Sequence, residues 1–180
     1  GRSTHVRLAP ADVITHADLV ADRIAALHSS SFVFRRDLLI DQVGMIDESL
    51  PGSYAEDYDV LLRTARHGSI RVVNAPLVAV RWTGESYFYG QWAIYAAALT
   101  YLLDQHPEFE GNPQALSRVQ SQIAFALAAA GQRRVSRPWA RRALSERRGN
   151  IRAWLALAVS YRLAPPAAIA RAANAVGRGI

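Results

Sequence analysis

The chain has 180 residues, 51% of them hydrophobic and 20% charged, with a mean hydropathy of zero; this suits one globular domain or two small ones and excludes disorder for most of its length. No run of about 18 residues is free of charged and strongly polar groups, and the N-terminus lacks a signal-peptide pattern. Cysteine is absent, which excludes disulfides, thiol catalysis and cysteine zinc sites.

All 21 basic residues are Arg, unevenly spread: residues 1–110 hold 9 Arg against 14 acids, net −5, while residues 111–180 hold 12 Arg against Glu146 alone, net +11. Arg without Lys, together with the Ala-rich second half, reads as GC-rich coding bias of a bacterial source, and the cytoplasm is the default location. A basic helical half can meet nucleic acid, anionic lipid or an acidic partner, and composition does not choose among them. The chain opens with Gly1 rather than Met, which predicts that it is cut from something larger.

In chain order, Thr15 and Asp18 form a Thr-x-x-Asp start signal, and Leu19, Val20, Ile24 and Leu27 fall near helical spacing, predicting a helix over 16–28. Ser31 to Arg35 is a short β-prone run, then a helical turn through Asp37–Val43 stops at Gly44. Residues 45–53 read as a loop turned at Pro51-Gly52. In the next helix Ser53 is the expected N-cap with Glu56 three residues on, and Arg66, His67 and Gly68 close its end. Ile70 to Trp82 reads as one or two strands bent at Pro76. From Ser86 onward, Pro, Gly and Asn punctuate helices over 86–106, 113–131, 134–147, 150–163 and 165–176. The predicted fold class therefore runs from α/β to mostly α, with a mixed segment over 1–90 and an all-helical extension over 91–180. Ala124-Phe-Ala-Leu-Ala and Trp154-Leu-Ala-Leu-Ala, 30 residues apart, read as a chance echo of Ala-rich helices rather than a repeat.

Three carboxylates, Glu56, Asp57 and Asp59, cluster at one predicted helix start, where free backbone N–H groups favour negative charge. Two readings stand. Glu56 is a capping acid, Asp57 a helix-dipole partner and Asp59 the i,i+4 partner of Arg63; or one carboxylate, held over a pocket, is a general base or reaches a divalent metal. The five His residues show no metal-ligand spacing; His67 is expected as a cation at a helix end, and His28 beside the Ser29–Ser31 cluster.

Four pieces in register carry a resemblance: His28-Ser-Ser-Ser-Phe-Val-Phe-Arg-Arg36, Val43-Gly-Met-Ile-Asp-Glu-Ser-Leu-Pro51, Tyr54-Ala-Glu-Asp-Tyr-Asp-Val-Leu-Leu-Arg63 and Pro76-Leu-Val-Ala-Val-Arg-Trp82. Together they resemble the acceptor-side, C-terminal part of a family 2 glycosyltransferase of the GT-A fold. The Arg-rich tail ending Gly177-Arg-Gly-Ile180 is similar to the helical extension of actinobacterial members. The resemblance implies inverting transfer of a sugar from a nucleotide-diphosphate donor to an acceptor hydroxyl on a glycan or lipid-linked cell-envelope polysaccharide. It assigns Asp57 as general base and Glu56, with Ser30, to the acceptor pocket. Trp82 and Tyr87, beside the Gly84 loop, are its candidates for stacking on sugar rings; Trp92, Tyr95 and Leu99 at helical spacing read as core instead.

The same resemblance implies a divalent cation, Mn or Mg, in the intact enzyme. Its donor half, ending in an Asp-x-Asp motif, has no counterpart here, and the fragment alone is expected to be inactive. The only Asp-x-Asp is Asp57-Tyr-Asp59, and Thr83 stands where many relatives carry a metal-binding His, so Asp59 and Thr83 are doubtful ligands.

Arg133, Arg134, Arg137, Arg141, Arg142, Arg147 and Arg148 form a basic cluster that reads as a solvated helix face. Docking on anionic lipid at the inner face of the membrane is the functional alternative, and nucleic acid is not an expected partner. The rival to the enzyme reading is a non-catalytic helical interaction module. The first 90 residues are also expected to expose a sheet edge, which favours association.

Overall fold

The structure, a computed structural model, describes residues 6–80 and 90–169. It is mostly helical, with a single two-stranded sheet among the described residues. The chain divides into two compact units: Gly1–Ser49 with Ala55–Ser86, and Leu50–Tyr54 with Tyr87–Ile180.

In the first unit, β1 (Val13–Ile14) pairs antiparallel with β2 (Ile70–Arg71), Val13 opposite Arg71. α1 (His16–Ala21) starts as its sequence predicts. Thr15 Oγ1 accepts from the Asp18 N–H at 3.2 Å, and the Asp18 carboxylate accepts from the Thr15 N–H at 2.9 Å. The Thr15 hydroxyl also donates to Asp18 Oδ2 at 2.6 Å, and this bond, with that from the Thr15 N–H, holds the Asp18 carboxyl below the usual carboxylate range. The helix ends at Asp22 rather than at 28. The Tyr58 hydroxyl donates to the Leu19 carbonyl at 2.5 Å and so occupies the acceptor that a further turn would use.

Ser29–Ser31 forms a 3₁₀ turn capped by His28, whose Nδ1 accepts from the Ser30 N–H at 3.2 Å. The β-prone run that follows has no partner strand among the described residues. Val33 is 95% exposed, while Phe32 and Phe34 meet edge-to-face at 6.0 Å. α2 (Arg36–Leu38) continues as a π-helical turn over Leu39–Val43 and stops at Gly44, where φ is +83°.

α3 (Glu56–Arg66) buries Tyr58, Val60, Leu61, Leu62 and Ala65 against the unit's interior. Its start corrects the expected Ser53 cap. Ala55 is the N-cap and offers no side-chain acceptor, and Ser53 and Ala55 both sit in the left-handed region, at φ +55° and +65°. Pro51–Ser53 is a 3₁₀ turn in which the Ser53 N–H donates to Leu50 at 3.2 Å, which places Ser53 outside the helix. The C-terminus matches expectation, with His67 as C-cap and Gly68 beyond it. The predicted strands over 70–82 reduce to β2. The Val72 N–H still reaches the Asp12 carbonyl at 2.9 Å, but residues 73–80 form no ladder, and the end of that stretch lies outside the described residues.

The second unit is a helical bundle of α4 (Trp92–Gln105), α5 (Pro113–Ala129), α6 (Arg133–Glu146) and α7 (Ile151–Ser160), close to the ranges read from the sequence. Helical backbone resumes at 166–169, and the rest of the last predicted helix lies outside the described residues. Ala124, Phe125, Ala128, Ala140, Ala156 and Val159 form one core cluster, in which small side chains let α5, α6 and α7 approach closely. Trp92 meets Phe125 edge-to-face at 5.9 Å, as the core reading of Trp92 requires.

Polar bonds fix the register between the helices. Ser117 Oγ donates to the Ala143 carbonyl at 2.7 Å, Ser136 Oγ to Ala124 at 2.7 Å, and Asn150 Nδ2 to Ser117 Oγ at 2.8 Å. Asn150 also caps α7, and Asn112 caps α5 ahead of Pro113. Gly52 packs against α4, where a Cβ would lie 2.5 Å from Ile94 Cγ2; its φ of +62° reinforces the need for glycine.

Candidate functional site

The acids at the start of α3 divide their work according to burial. Asp59 is 3% exposed and pairs with Arg63 one turn on, its Oδ2 accepting from Nη2 at 2.7 Å and from Nε at 2.9 Å. The same guanidinium donates to the carbonyls of Val43 at 2.6 Å, Gly44 at 3.2 Å and Met45 at 3.1 Å. Arg63 thereby ties the turn after α2 to α3, using donors of one planar group in several directions. This is the i,i+4 pairing expected of Asp59.

A carboxylate so occupied does not suit a metal ligand. Among the described residues there is also no group of three or more His, Asp or Glu able to hold a metal ion. Thr83, the other doubtful ligand, lies outside the described residues.

Asp57 differs. Its side chain keeps 22% of its surface exposed, and both oxygens lie 2.8 Å from Arg23 Nη2. Oδ1 also accepts from the Tyr58 N–H at 2.8 Å. A carboxylate offers about four acceptor positions; among the described residues three are taken, and the one left open is on Oδ2. The early end of α1 at Asp22, whose backbone is extended, leaves Arg23 outside the helix, where it reaches across 34 residues of sequence to Asp57.

Glu56, the first residue of α3, is half-buried. Ser30 is exposed, and its N–H bonds within its own turn. Among the described residues no hydrogen bond joins Ser30 to Glu56 or Asp57. Trp82 and Tyr87 lie outside the described residues.

Sequence reasoning missed Arg23. No local spacing signals a partner so far along the chain, and its position two residues past Ala21 follows from where α1 ends.

Along α6 and just past its end the arginines form two groups. Arg134, Arg141, Arg142, Arg147 and Arg148 are exposed, Arg142 lying 5.5 Å from the Trp139 ring centroid. Arg133 and Arg137 are half-buried. Among the described residues no helix is long and apolar enough to cross a membrane. In comparisons with protein families, curated proteins and solved structures, the chain matches none of them.

Proposed function

We propose that the chain is the acceptor-side part of a family 2, GT-A-type glycosyltransferase, with Asp57 as the general base. The observation that carries this reading is the state of Asp57: a partly exposed carboxylate at a helix start, oriented by Arg23, with one acceptor position open on Oδ2. The backbone before it supports the reading, because Ser53 and Ala55 hold left-handed conformations that are uncommon for residues other than glycine. Such strain concentrates where a fold positions reacting groups.

In the proposed reaction the acceptor hydroxyl donates a hydrogen bond to Asp57 Oδ2. As its oxygen attacks the anomeric carbon, the proton passes to the carboxylate, the new C–O bond forms, and the bond to the nucleoside diphosphate breaks with inversion. Glu56 lines the acceptor side, with Ser30, Trp82 and Tyr87 as its further candidates. A divalent cation, Mn or Mg, belongs to the donor side of the intact enzyme. The exposed Arg141, Arg142, Arg147 and Arg148 support peripheral docking of a cytoplasmic enzyme on an anionic membrane surface, where lipid-linked acceptors reside. The second reading, a non-catalytic helical interaction module, is favoured by the separate core of the second unit.

The test is transfer by the intact protein from a panel of nucleotide-diphosphate sugars to a glycan acceptor. The expected result is an inverted product and an Asp57→Asn loss of about 10²- to 10⁴-fold in turnover, the usual range for general base catalysis. Unchanged turnover in Asp57→Asn removes it from the mechanism.

A further inference from the structure

The second unit carries a cleft of about 610 Å³ bordered by the turn between α5 and α6, the start of α6 and the end of α7. Its lining includes Arg133, Arg134, Arg137, Ser160, Tyr161 and Arg162: four guanidinium groups and no carboxylate. The nearest acid in sequence is Glu146, the sole acidic residue after residue 110. Four like charges around one opening repel one another, and among the described residues none of the four forms an ion pair with a carboxylate. An anion between them reverses the sign of that interaction.

Arg137 is set in place rather than loose. Arg137 Nη2 donates to the Ser160 carbonyl at 3.1 Å, and its guanidinium carbon lies 4.1 Å from the Tyr161 ring centroid. The Tyr161 hydroxyl accepts in turn from Arg141 Nη2 at 3.4 Å, which fixes the ring under Arg137. The Nε atoms of Arg133 and Arg137 are buried without a hydrogen-bond acceptor, as is that of Arg118 outside the cleft. Arg162 holds φ +65° just past α7, a position where glycine is the unstrained choice. The start of α6 has no side-chain cap, and the Val135 and Ser136 N–H groups donate to the Gln132 carbonyl at 3.1 and 3.0 Å, which leaves those of Arg133 and Arg134.

We propose that this cleft binds a phosphate or diphosphate group carried by a larger molecule. Tetrahedral oxyanions present several acceptor oxygens at once, and planar guanidinium forks match them better than they match a single carboxylate. The volume exceeds that of a bare phosphate and leaves room for an organic part. This site is independent of the transferase reading: it lies in the second unit and uses none of the residues around Asp57.

The experiment is calorimetric titration of pyrophosphate into the full chain at about 0.15 M salt, where diffuse surface attraction is screened beyond about 8 Å. Saturable one-to-one binding is expected. Arg137→Gln and Arg133→Gln should each weaken it about tenfold or more, as for loss of a hydrogen bond to a charged group. Arg134→Gln and Arg162→Gln, at exposed positions, serve as variants that keep the fold, checked by circular dichroism. Arg147→Gln with Arg148→Gln, outside the cleft, should leave binding unchanged.

Vesicles containing phosphatidic acid separate the sources of the phosphate. Co-sedimentation that pyrophosphate displaces assigns a lipid headgroup, and saturable pyrophosphate binding without co-sedimentation assigns a soluble ligand. Absence of pyrophosphate binding overturns the proposal. So does equal weakening by the Arg147/Arg148 pair.

Discussion

At the scale of single residues, the first unit shows two carboxylates two positions apart with opposite fates. Asp59 faces the interior and gains Arg63; Asp57 stays at the surface and gains Arg23. The i,i+4 spacing made the first pairing legible in sequence, whereas the second spans 34 residues and depends on where α1 stops. Thr15 and Asp18 are the converse case, a start signal whose geometry is local and therefore readable in full. Asp18 has its folded-state carboxyl lowered by the hydrogen bonds from Thr15, so its contribution is complete above the ordinary value of 3.8 and is lost as pH falls through the lower folded value. Thr15→Ala should cost about 1 kcal/mol at neutral pH, typical of a lost cap, and the deficit against wild type should shrink below about pH 4. Urea unfolding of both proteins at pH 7 and pH 3 checks this; a deficit that is the same at both values would detach Asp18 from the cap.

At the scale of elements, the helices of the second unit were legible because Asn112-Pro113, Gly131, Gly149-Asn150 and Pro165-Pro166 mark their ends, and the structure uses Asn112 and Asn150 as caps. Strands were not, because β-propensity describes a residue's fit to a pleated surface and says nothing of its partner. Among the described residues, 32–35 are unpaired, and of the long run after Gly68 only Ile70 and Arg71 meet a strand, from residues far earlier in the chain. The start of α3 was misread for a related reason. A Ser-x-x-Glu pattern promises a capping box, but the preceding Pro51–Ser53 turn and the left-handed Ala55 move the helix start to Glu56. Ala55→Gly should remove a left-handed alanine and stabilise the protein, by about 1 kcal/mol. Thermal unfolding reads the gain directly; a lower melting temperature would mean that the Ala55 methyl, buried at 8% exposure, contributes more through packing than its backbone costs.

At the scale of the whole molecule, charge and chemistry are segregated along the chain. The acidic part holds the Asp57 site, and the basic helical part holds the arginine cleft and the exposed arginines of α6. Composition alone displayed that asymmetry. It could not show which arginines converge, because Arg162 joins Arg133 and Arg137 only when α7 packs beside α6. We propose a division of labour between two neighbouring acids, Asp57 for turnover and Asp59 for folding. The most direct measurement sets Asp57→Asn beside Asp59→Asn in the intact protein, recording transfer per folded molecule and unfolding free energy for each. Asp57→Asn is predicted to lose transfer with stability within about 1 kcal/mol of wild type, as expected for a partly exposed pair. Asp59→Asn is predicted to lose about 3 kcal/mol, the cost of breaking a buried pair, while its folded fraction keeps its turnover. Full transfer by Asp57→Asn, or lost transfer in fully stable Asp59→Asn, would contradict the account.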